Sequence, residues 1–236
     1  MTTRLSRRVR FSALSIALAV MASAALATVA KADPTAVPAA SCSPKEFAYA
    51  GLYSNTPAQG IETTVTTMAA AQVPSGHVAG WIGVGGPDAG PGGQAEWLQT
   101  GVNTRAGAGT ELYAEITQPG ILTKYVRLAA DVAPGTSYRL AVAQLPGEPN
   151  VWHVLLNGKA ATGRIYLPGS SQFEPMAMSE SWNGGTPSCN GFNYRFDHLR
   201  IRANGSWKAL TNASVLSDPG YKVIDRTNAG FSAVSA

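Results

Sequence analysis

Residues 151–165 read VWHVLLNGKAATGRI, and this stretch decides the fold class. Trp152, Val154 and Leu156 recur at every second position, which is the period of a β-strand with one buried face. The dipeptide Asn157-Gly158 that follows is typical of a tight turn between antiparallel strands, because both residues tolerate positive φ angles. The stretch therefore predicts a β-hairpin.

Segments of the same kind continue through the chain on both sides of this hairpin. Turn-forming pairs such as Pro119-Gly120 and Pro134-Gly135 separate them, roughly every ten residues, and helical periodicity is absent. The predicted strands are 61–67, 78–84, 95–102, 111–117, 124–128, 138–144, 152–156, 165–167, 176–182 and 194–202. Short strands at this spacing predict an all-β fold, either an antiparallel sandwich or a barrel.

The first 32 residues are typical of a signal peptide. Arginines between Arg4 and Arg10 precede an uncharged run from Phe11 to Val29, and Ala30-Lys31-Ala32 has the small-x-small pattern of a cleavage site. A membrane anchor is the alternative, but the Ala/Ser-rich run is weakly apolar and ends at that cleavage pattern. We therefore expect a secreted, extracellular protein with no stable membrane insertion after residues 1–32 are removed.

Removal of the signal peptide changes the charge of the chain. Residues 1–32 hold five of the 18 Lys and Arg residues and no acidic residue, so the remainder has 13 basic and 14 acidic side chains. Nucleic-acid binding proteins normally have a basic surface, and this balance offers none. We therefore do not expect nucleic acid as a partner.

Composition divides the remainder into three parts. Residues 33–44 are expected to form a flexible leader, residues 45–210 one β-sandwich domain, and residues 211–236 a weakly patterned tail that is partly disordered. The two cysteines are Cys42 and Cys189. Outside the cell we expect them to form a disulfide, with two independent thiols as the alternative.

Several common catalytic motifs are missing. The histidines His77, His153 and His198 lack the spacing of a zinc site, and the chain contains neither a Cys-x-x-Cys pair nor a Gly-x-Ser-x-Gly motif. We therefore expect no metal and no cofactor.

Three other segments place Trp, Gln, Tyr and Glu side chains on predicted strands. They are residues 80–86 (GWIGVGG), residues 95–102 (AEWLQTGV) with 113–115 (YAE), and residues 176–182 (MAMSESW). Strand parity puts Trp97 and Gln99 on one face of their strand and Glu96 on the other.

In the third segment Glu180 shares a face with Met178 and Trp182. A carboxyl group beside such side chains is partly desolvated, an environment that suits acid–base chemistry, and an amide on a neighbouring strand can stabilise an oxyanion. The alternative is that Gln99 and Glu180 are polar residues on a solvated sheet face.

The order of these segments resembles the eqolisin, or glutamic peptidase, family. The matching stretches are GWIGVGG at 80–86, WLQTGV at 97–102, YAE at 113–115 and SE at 179–180, within a similarity that spans about residues 49–203. The resemblance implies a concanavalin A-like antiparallel β-sandwich, or jelly roll. It also implies a secreted endopeptidase that hydrolyses peptide bonds with a Gln/Glu dyad, typically in acid.

The same resemblance implies roles for individual residues. Gln99 would stabilise the tetrahedral oxyanion, and Glu180 would activate the attacking water and then protonate the leaving amine. The candidate substrate-binding residues are Tyr49, Trp81, Trp97, Glu115 and Trp182. The chain departs from the fungal members of the family in three places: they carry Asp in place of Gly85, Trp in place of Tyr49, and an Ile/Val–Glu–Asp run where this chain reads Ser-Trp-Asn-Gly-Gly after Glu180.

Two other functions stay open at this point. A non-catalytic sandwich could bind glycan or protein by stacking on Trp97, Trp182 and Tyr113. A glycosidase would need two carboxyl groups about 5–10 Å apart, drawn from Glu96 or Glu115 together with Glu180. A peptidase requires Gln99 and Glu180 on one sheet face, close enough to share a water molecule. We expect a monomer that acts on a peptide or protein, or binds a glycan in the alternative.

Overall fold

The structure is a computed structural model that describes residues 41–184 and 189–236. The predicted signal peptide, residues 1–32, and most of the predicted leader lie outside the described residues. In the part of the chain that is described, no helix is long and apolar enough to cross a membrane.

The described residues form eighteen strands and one 3-10 turn at Pro91–Gly93. The strands are β1 (Ser41–Cys42), β2 (Phe47–Tyr53), β3 (Gly60–Thr67), β4 (His77–Gly86), β5 (Glu96–Arg105), β6 (Thr110–Gln118), β7 (Ile121–Ala129), β8 (Ser137–Gln144), β9 (Val151–Leu156), β10 (Lys159–Ala160), β11 (Ile165–Tyr166), β12 (Pro175–Trp182), β13 (Cys189–Asn190), β14 (Asn193–Ala203), β15 (Ser206–Ala209), β16 (Ser214–Ser217), β17 (Tyr221–Ile224) and β18 (Gly230–Ser235). Every segment predicted as a strand from the sequence overlaps one of these strands.

Two large antiparallel sheets form a β-sandwich of the jelly-roll type, which confirms the predicted fold class. The seven-stranded sheet has the order β16-β2-β12-β4-β5-β6-β7. The nine-stranded sheet has the order β10-β9-β8-β3-β14-β18-β17, with β11 also paired to β9 and β15 to β14. Strands distant in sequence therefore become neighbours, and β12 lies between β2 and β4.

The hairpin predicted from residues 151–165 is confirmed. Asn157 and Gly158 both have positive φ angles, 51° and 79°, as a two-residue primed turn requires. The strands that flank the turn pair so that Lys159 lies opposite Leu156. Trp152 and Val154 point into the core and are fully buried.

Side chains of the seven-stranded sheet alternate between the core and the outer face. In β4, Val78, Ile82 and Val84 belong to the hydrophobic core between the two sheets. Ala79 and Trp81, at the intervening positions, belong to a separate cluster on the outer face. Because this alternation has a period of two, each strand of the sheet supplies both the core and a second, outward-facing surface.

The C-terminal segment corrects one prediction. Residues 211–236 were expected to be a partly disordered tail, but they form β16, β17 and β18 and complete both large sheets. Phe231 of β18 is fully buried and stacks on Phe196, with 4.6 Å between the ring centroids. The three strands have only four to six residues each, so their alternation is too short to stand out in the sequence.

The predicted leader also contains a strand, since β1 pairs antiparallel with β13. In this register Cys42 lies opposite Cys189. Directly opposed residues of antiparallel strands have Cα atoms about 4.5–5.5 Å apart, a separation that a disulfide can span. The disulfide stays a prediction, which the backbone register favours.

We expect the Phe231→Ala variant to lower the free energy of unfolding by about 3–5 kcal/mol, because it removes a large side chain from a packed interior. Urea denaturation of both proteins measures the difference. The matched control is Leu122→Ala on β7, where the side chain is 92% exposed. The control should change stability by no more than about 0.5 kcal/mol, and equal effects of the two substitutions would contradict the placement of β18 in the core.

Candidate functional site

A cleft of about 700 Å³ opens on the outer face of the seven-stranded sheet. Residues at alternating positions of β2, β12, β4, β5 and β6 line its floor. All seven residues that the sequence placed at the site line this cleft: Tyr49, Trp81, Trp97, Gln99, Glu115, Glu180 and Trp182.

One end of the cleft brings Gln99 and Glu115 together. The two residues are directly opposed on β5 and β6. The Gln99 side-chain amide donates to the hydroxyl of Tyr113, with 3.3 Å between Nε2 and Oη. A primary amide has two N–H donors, so a second donor is available to a ligand in the cleft.

The Glu115 carboxyl group of this pair is partly desolvated. Burial raises its pKa, and the negative charge of Glu180 acts in the same direction. The Trp97 indole donates to Glu115 with 2.9 Å between Nε1 and Oε1, and this hydrogen bond and the charge of His77 lower the pKa by less than burial raises it. Glu115 therefore retains a proton at higher pH than an ordinary glutamate, as acid–base groups of enzymes often do.

Glu180 lies on the same face of the sheet as Gln99 and Glu115, but its hydrogen-bond partner is His77. Its Oε1 is 3.0 Å from Nε2 of His77, and the His77 ring also packs against Trp182 with 5.4 Å between ring centroids. His77 is a site residue that the sequence pattern did not indicate, since its spacing from the other histidines is not that of metal ligands. Strand parity offered a signal, since His77 and Trp81 are four positions apart on β4 and share its outer face.

The strand register separates Gln99 from Glu180. Gln99 lies opposite Gly83, and Gly83 lies opposite Met176, four residues before Glu180 on β12. In an ideal sheet this offset, together with two strand spacings, separates the two Cα atoms by roughly 16 Å. The two side chains share one face, as the sequence analysis expected, but the register does not make them neighbours.

Glu96 lies on the opposite side of β5, as strand parity predicted. Its side chain is fully buried, and Oε2 accepts a hydrogen bond of 2.7 Å from the backbone N–H of Gly169. Burial raises the pKa of Glu96, and this hydrogen bond only partly opposes the effect. The carboxyl groups available in the cleft are therefore those of Glu115 and Glu180.

The backbone conformation at position 85 explains why this chain has Gly85 where the eqolisin pattern has Asp. Its φ angle is 90°, and a Cβ atom at this position would lie 2.2 Å from the carbonyl oxygen of Glu96. An aspartate does not fit this backbone conformation, so the carboxyl group that fungal eqolisins carry here has no counterpart at position 85.

The described residues contain no group of three or more His, Cys, Asp or Glu side chains arranged to hold a metal ion. The polar groups that line the cleft are the Gln99 amide, the two carboxyl groups, His77 and the neighbouring Asn103, Arg105 and Tyr hydroxyl groups.

Comparison with known proteins supports the fold. No protein-family model matches the chain, and no curated protein sequence matches it. Scytalido-glutamic peptidase bound to a transition state analog inhibitor is similar in structure, with a TM-score of 0.56 and 13% identity over 85% of this chain and 100% of that chain. SCP-B, a member of the eqolisin family in complex with the tripeptide Ala-Ile-His, has a TM-score of 0.54 and 12% identity over the same shares. At these identities the similarity establishes a shared fold.

Two substitutions test the electrostatics of Glu115. Trp97→Phe removes a hydrogen bond to the carboxylate and should raise the pKa of Glu115 further. Glu180→Gln removes a nearby negative charge and should lower that pKa. Carboxyl ¹³C chemical shifts followed by NMR across a pH titration measure both shifts, and an unchanged Glu115 pKa in both variants would contradict the described environment.

Proposed function

We propose that this protein is a secreted peptidase that hydrolyses peptide bonds in the cleft on the acid side of neutrality, with Gln99 and Glu115 as the reacting pair. The observation that carries the proposal is the direct opposition of an amide and a desolvated carboxyl group on adjacent strands. Export follows from the signal-peptide pattern of residues 1–32.

The chemistry needs only these two groups and water. The ionised Glu115 carboxylate takes a proton from a water molecule as its oxygen attacks the peptide carbonyl carbon. The free N–H of the Gln99 amide donates to the oxyanion that forms. Glu115 then returns the proton to the amide nitrogen as the C–N bond breaks, which leaves a carboxylic acid and an amine.

The size and lining of the cleft suit a peptide as substrate. Its volume of about 700 Å³ lies within the range of ligand sites, and aromatic rings of Tyr49, Trp81 and Trp97 line it. The similar fold of peptidases that were solved with peptide-based ligands is consistent with a peptide as substrate.

Glu180 is the competing choice for the catalytic carboxyl group. The family resemblance gives it the role of general base, whereas its hydrogen bond to His77 and its offset from Gln99 favour an electrostatic role. In the proposed reaction its negative charge keeps the Glu115 pKa high, so the two assignments predict different pH profiles.

A second candidate function is binding without hydrolysis. The aromatic side chains along the cleft, which include Trp182 and the stacked pair Tyr113 and Tyr125 at 5.1 Å, offer flat surfaces for sugar rings or peptide side chains. Under this alternative a glycan or peptide binds and is released unchanged.

Variants at three positions separate these possibilities. Cleavage of a peptide library between pH 2 and 7 by the chain without residues 1–32 gives kcat/KM for each protein. Glu115→Gln should lower kcat/KM by about 10²–10⁴-fold, and Gln99→Ala by about 10²–10³-fold. Glu180→Gln should retain activity, and Glu174→Gln, an exposed carboxyl group outside the cleft, is the matched control.

The pH dependence has a defined sign. A general base must be ionised, so kcat/KM should fall as the pH drops through the raised pKa of Glu115, above the value of about 4.3 of an ordinary glutamate. Glu180→Gln should move this acid limb to lower pH. Loss of activity in Glu180→Gln with an active Glu115→Gln would instead assign the reaction to Glu180, and saturable binding with no cleavage in any protein would favour the binding function.

A further inference from the structure

The end of the cleft away from Gln99 carries a row of opposed side chains. Trp182 of β12 lies opposite His77 of β4, and His77 lies opposite Arg105 of β5. All three line the cleft. The proposed reaction gives none of them a role.

The Arg105 guanidinium group is held in place without a close acceptor. Its Cζ atom lies 4.7 Å from the centroid of the Tyr125 ring. Among the described residues its one ion-pair contact is with Glu111, with 3.6 Å between Nη2 and Oε1. That is longer than the roughly 2.7–2.9 Å of a charge-assisted hydrogen bond. Glu111 has a stronger partner in Arg127, so the donors of Arg105 remain available to a ligand.

Asn103 presents an acceptor beside these donors. Burial alone would raise the pKa of Glu111, but hydrogen bonds from Tyr125 and Arg127 and the nearby arginine charges lower it, so Glu111 is ionised. The Tyr125 hydroxyl must then donate to Glu111, at 2.7 Å, and accept from the Asn103 amide, at 2.9 Å.

This chain of donors fixes the orientation of the Asn103 amide. Its nitrogen faces Tyr125, so its oxygen faces away, and among the described residues Oδ1 has no hydrogen-bond partner. The side chain is only 4% exposed, and a buried acceptor without a partner costs free energy. Asn103 lines the cleft, but Oδ1 itself is buried, so an N–H group of a bound ligand satisfies this oxygen once the amide shifts toward the cleft.

We propose that Asn103 and Arg105 form a subsite for a carboxylate and its neighbouring peptide N–H on the bound chain. Asn103 and Arg105 are two positions apart on one face of β5, so their side chains are adjacent. The N–H donates to Asn103 Oδ1, and the carboxylate accepts from Arg105. Either a C-terminal carboxylate or an Asp or Glu side chain has this chemistry.

The register sets the distance from this subsite to the reacting pair. Arg105 is six residues from Gln99 on β5, which is roughly 20 Å in a strand. An extended peptide covers this distance in about six residues. The inference rests on the proposed peptide ligand, and it adds that the substrate carries a carboxylate about six residues from the cleaved bond.

Peptide binding tests the subsite independently of hydrolysis. The chain without residues 1–32 carries Glu115→Gln so that peptides stay intact, and calorimetry at pH 5 gives their Kd values. The probes are three acetylated alanine-rich octapeptides with one Phe: a free C-terminal acid, the C-terminal amide, and the amide with a Glu at the seventh position. A carboxylate-bearing peptide should bind about ten-fold or more tightly than the uncharged amide, as expected for a hydrogen bond to a charged group.

Arg105→Met should abolish this preference, and Arg127→Met is the matched control. Both substitutions remove a cation beside Glu111, but only Arg105 lines the cleft, so the control should retain the preference. Tight binding of the free acid alone identifies a C-terminal carboxylate, and tight binding of the Glu-containing amide identifies an acidic side chain.

Equal Kd values for all three peptides, or absence of binding, would overturn the subsite even in a protein that hydrolyses peptides. An equal loss of preference in Arg105→Met and Arg127→Met would also overturn it, because the effect would then come from Glu111. A carboxylate preference that depends on Arg105, in a protein that never cleaves a peptide, would support the subsite and overturn only the proposed hydrolysis.

Discussion

The antiparallel register of β12, β4, β5 and β6 is the constraint on which the cleft depends, because it decides which side chains meet across the strands. Two glycines lie between side chains that face each other across the strands. Gly83 lies between Met176 and Gln99, and Gly101 lies between Trp81 and Tyr113. A Cβ atom at Gly101 would lie 2.6 Å from the Cβ atom of Trp81. Because the glycines carry no side chain, the side chains beside them can lie across the glycine backbone, and this arrangement forms the floor of the cleft.

The strand register also gives the two glutamates of β6 different electrostatic environments. Glu111 and Glu115 share one face of β6, four positions apart, yet their environments move their pKa values in opposite directions. Arginine and tyrosine donors hold Glu111 ionised, whereas burial outweighs the single indole donor of Glu115. A pair of carboxyl groups with opposed pKa shifts is a common arrangement at catalytic sites, since one remains a fixed charge while the other exchanges protons. In the proposed reaction Glu115 would be the group that exchanges protons, whereas Glu111 remains a fixed charge.

Local pattern in the sequence was sufficient to predict ten of the eighteen strands, the hairpin turn at Asn157-Gly158 and the faces of Gln99 and Glu96, but it missed β2. These features depend on residues within a few positions of each other. The approach of His77 to Glu180 could not be predicted, because it depends on the register between strands about a hundred residues apart in sequence. The pairing of Gln99 with Glu115 depends on the exact turn between β5 and β6, and no turn signal in the sequence defined that register. Strands β16, β17 and β18 were missed for a related reason. Phe231 of β18 is buried through contacts with β14 and the opposite sheet, which are distant in sequence. A strand of four residues such as β17 is too short to show a clear alternation of apolar and polar residues.

Register also explains why a shared sandwich fold does not transfer a catalytic pair by itself. A fold fixes which face of a strand is exposed, but a site needs side chains at matching heights on neighbouring strands. In this chain the Leu-Gln-Thr-Gly stretch keeps Gln99 on the outer face, whereas the residue of β12 in the same row is Met176 and not Glu180. The carboxyl group at the height of Gln99 comes from the other side, from Glu115 on β6. The order of motifs in the sequence therefore favours Glu180 as the catalytic carboxyl group, whereas the strand register favours Glu115. Proton transfer requires groups within a few ångströms of each other, so the proposed reaction uses the residue that the register places beside Gln99.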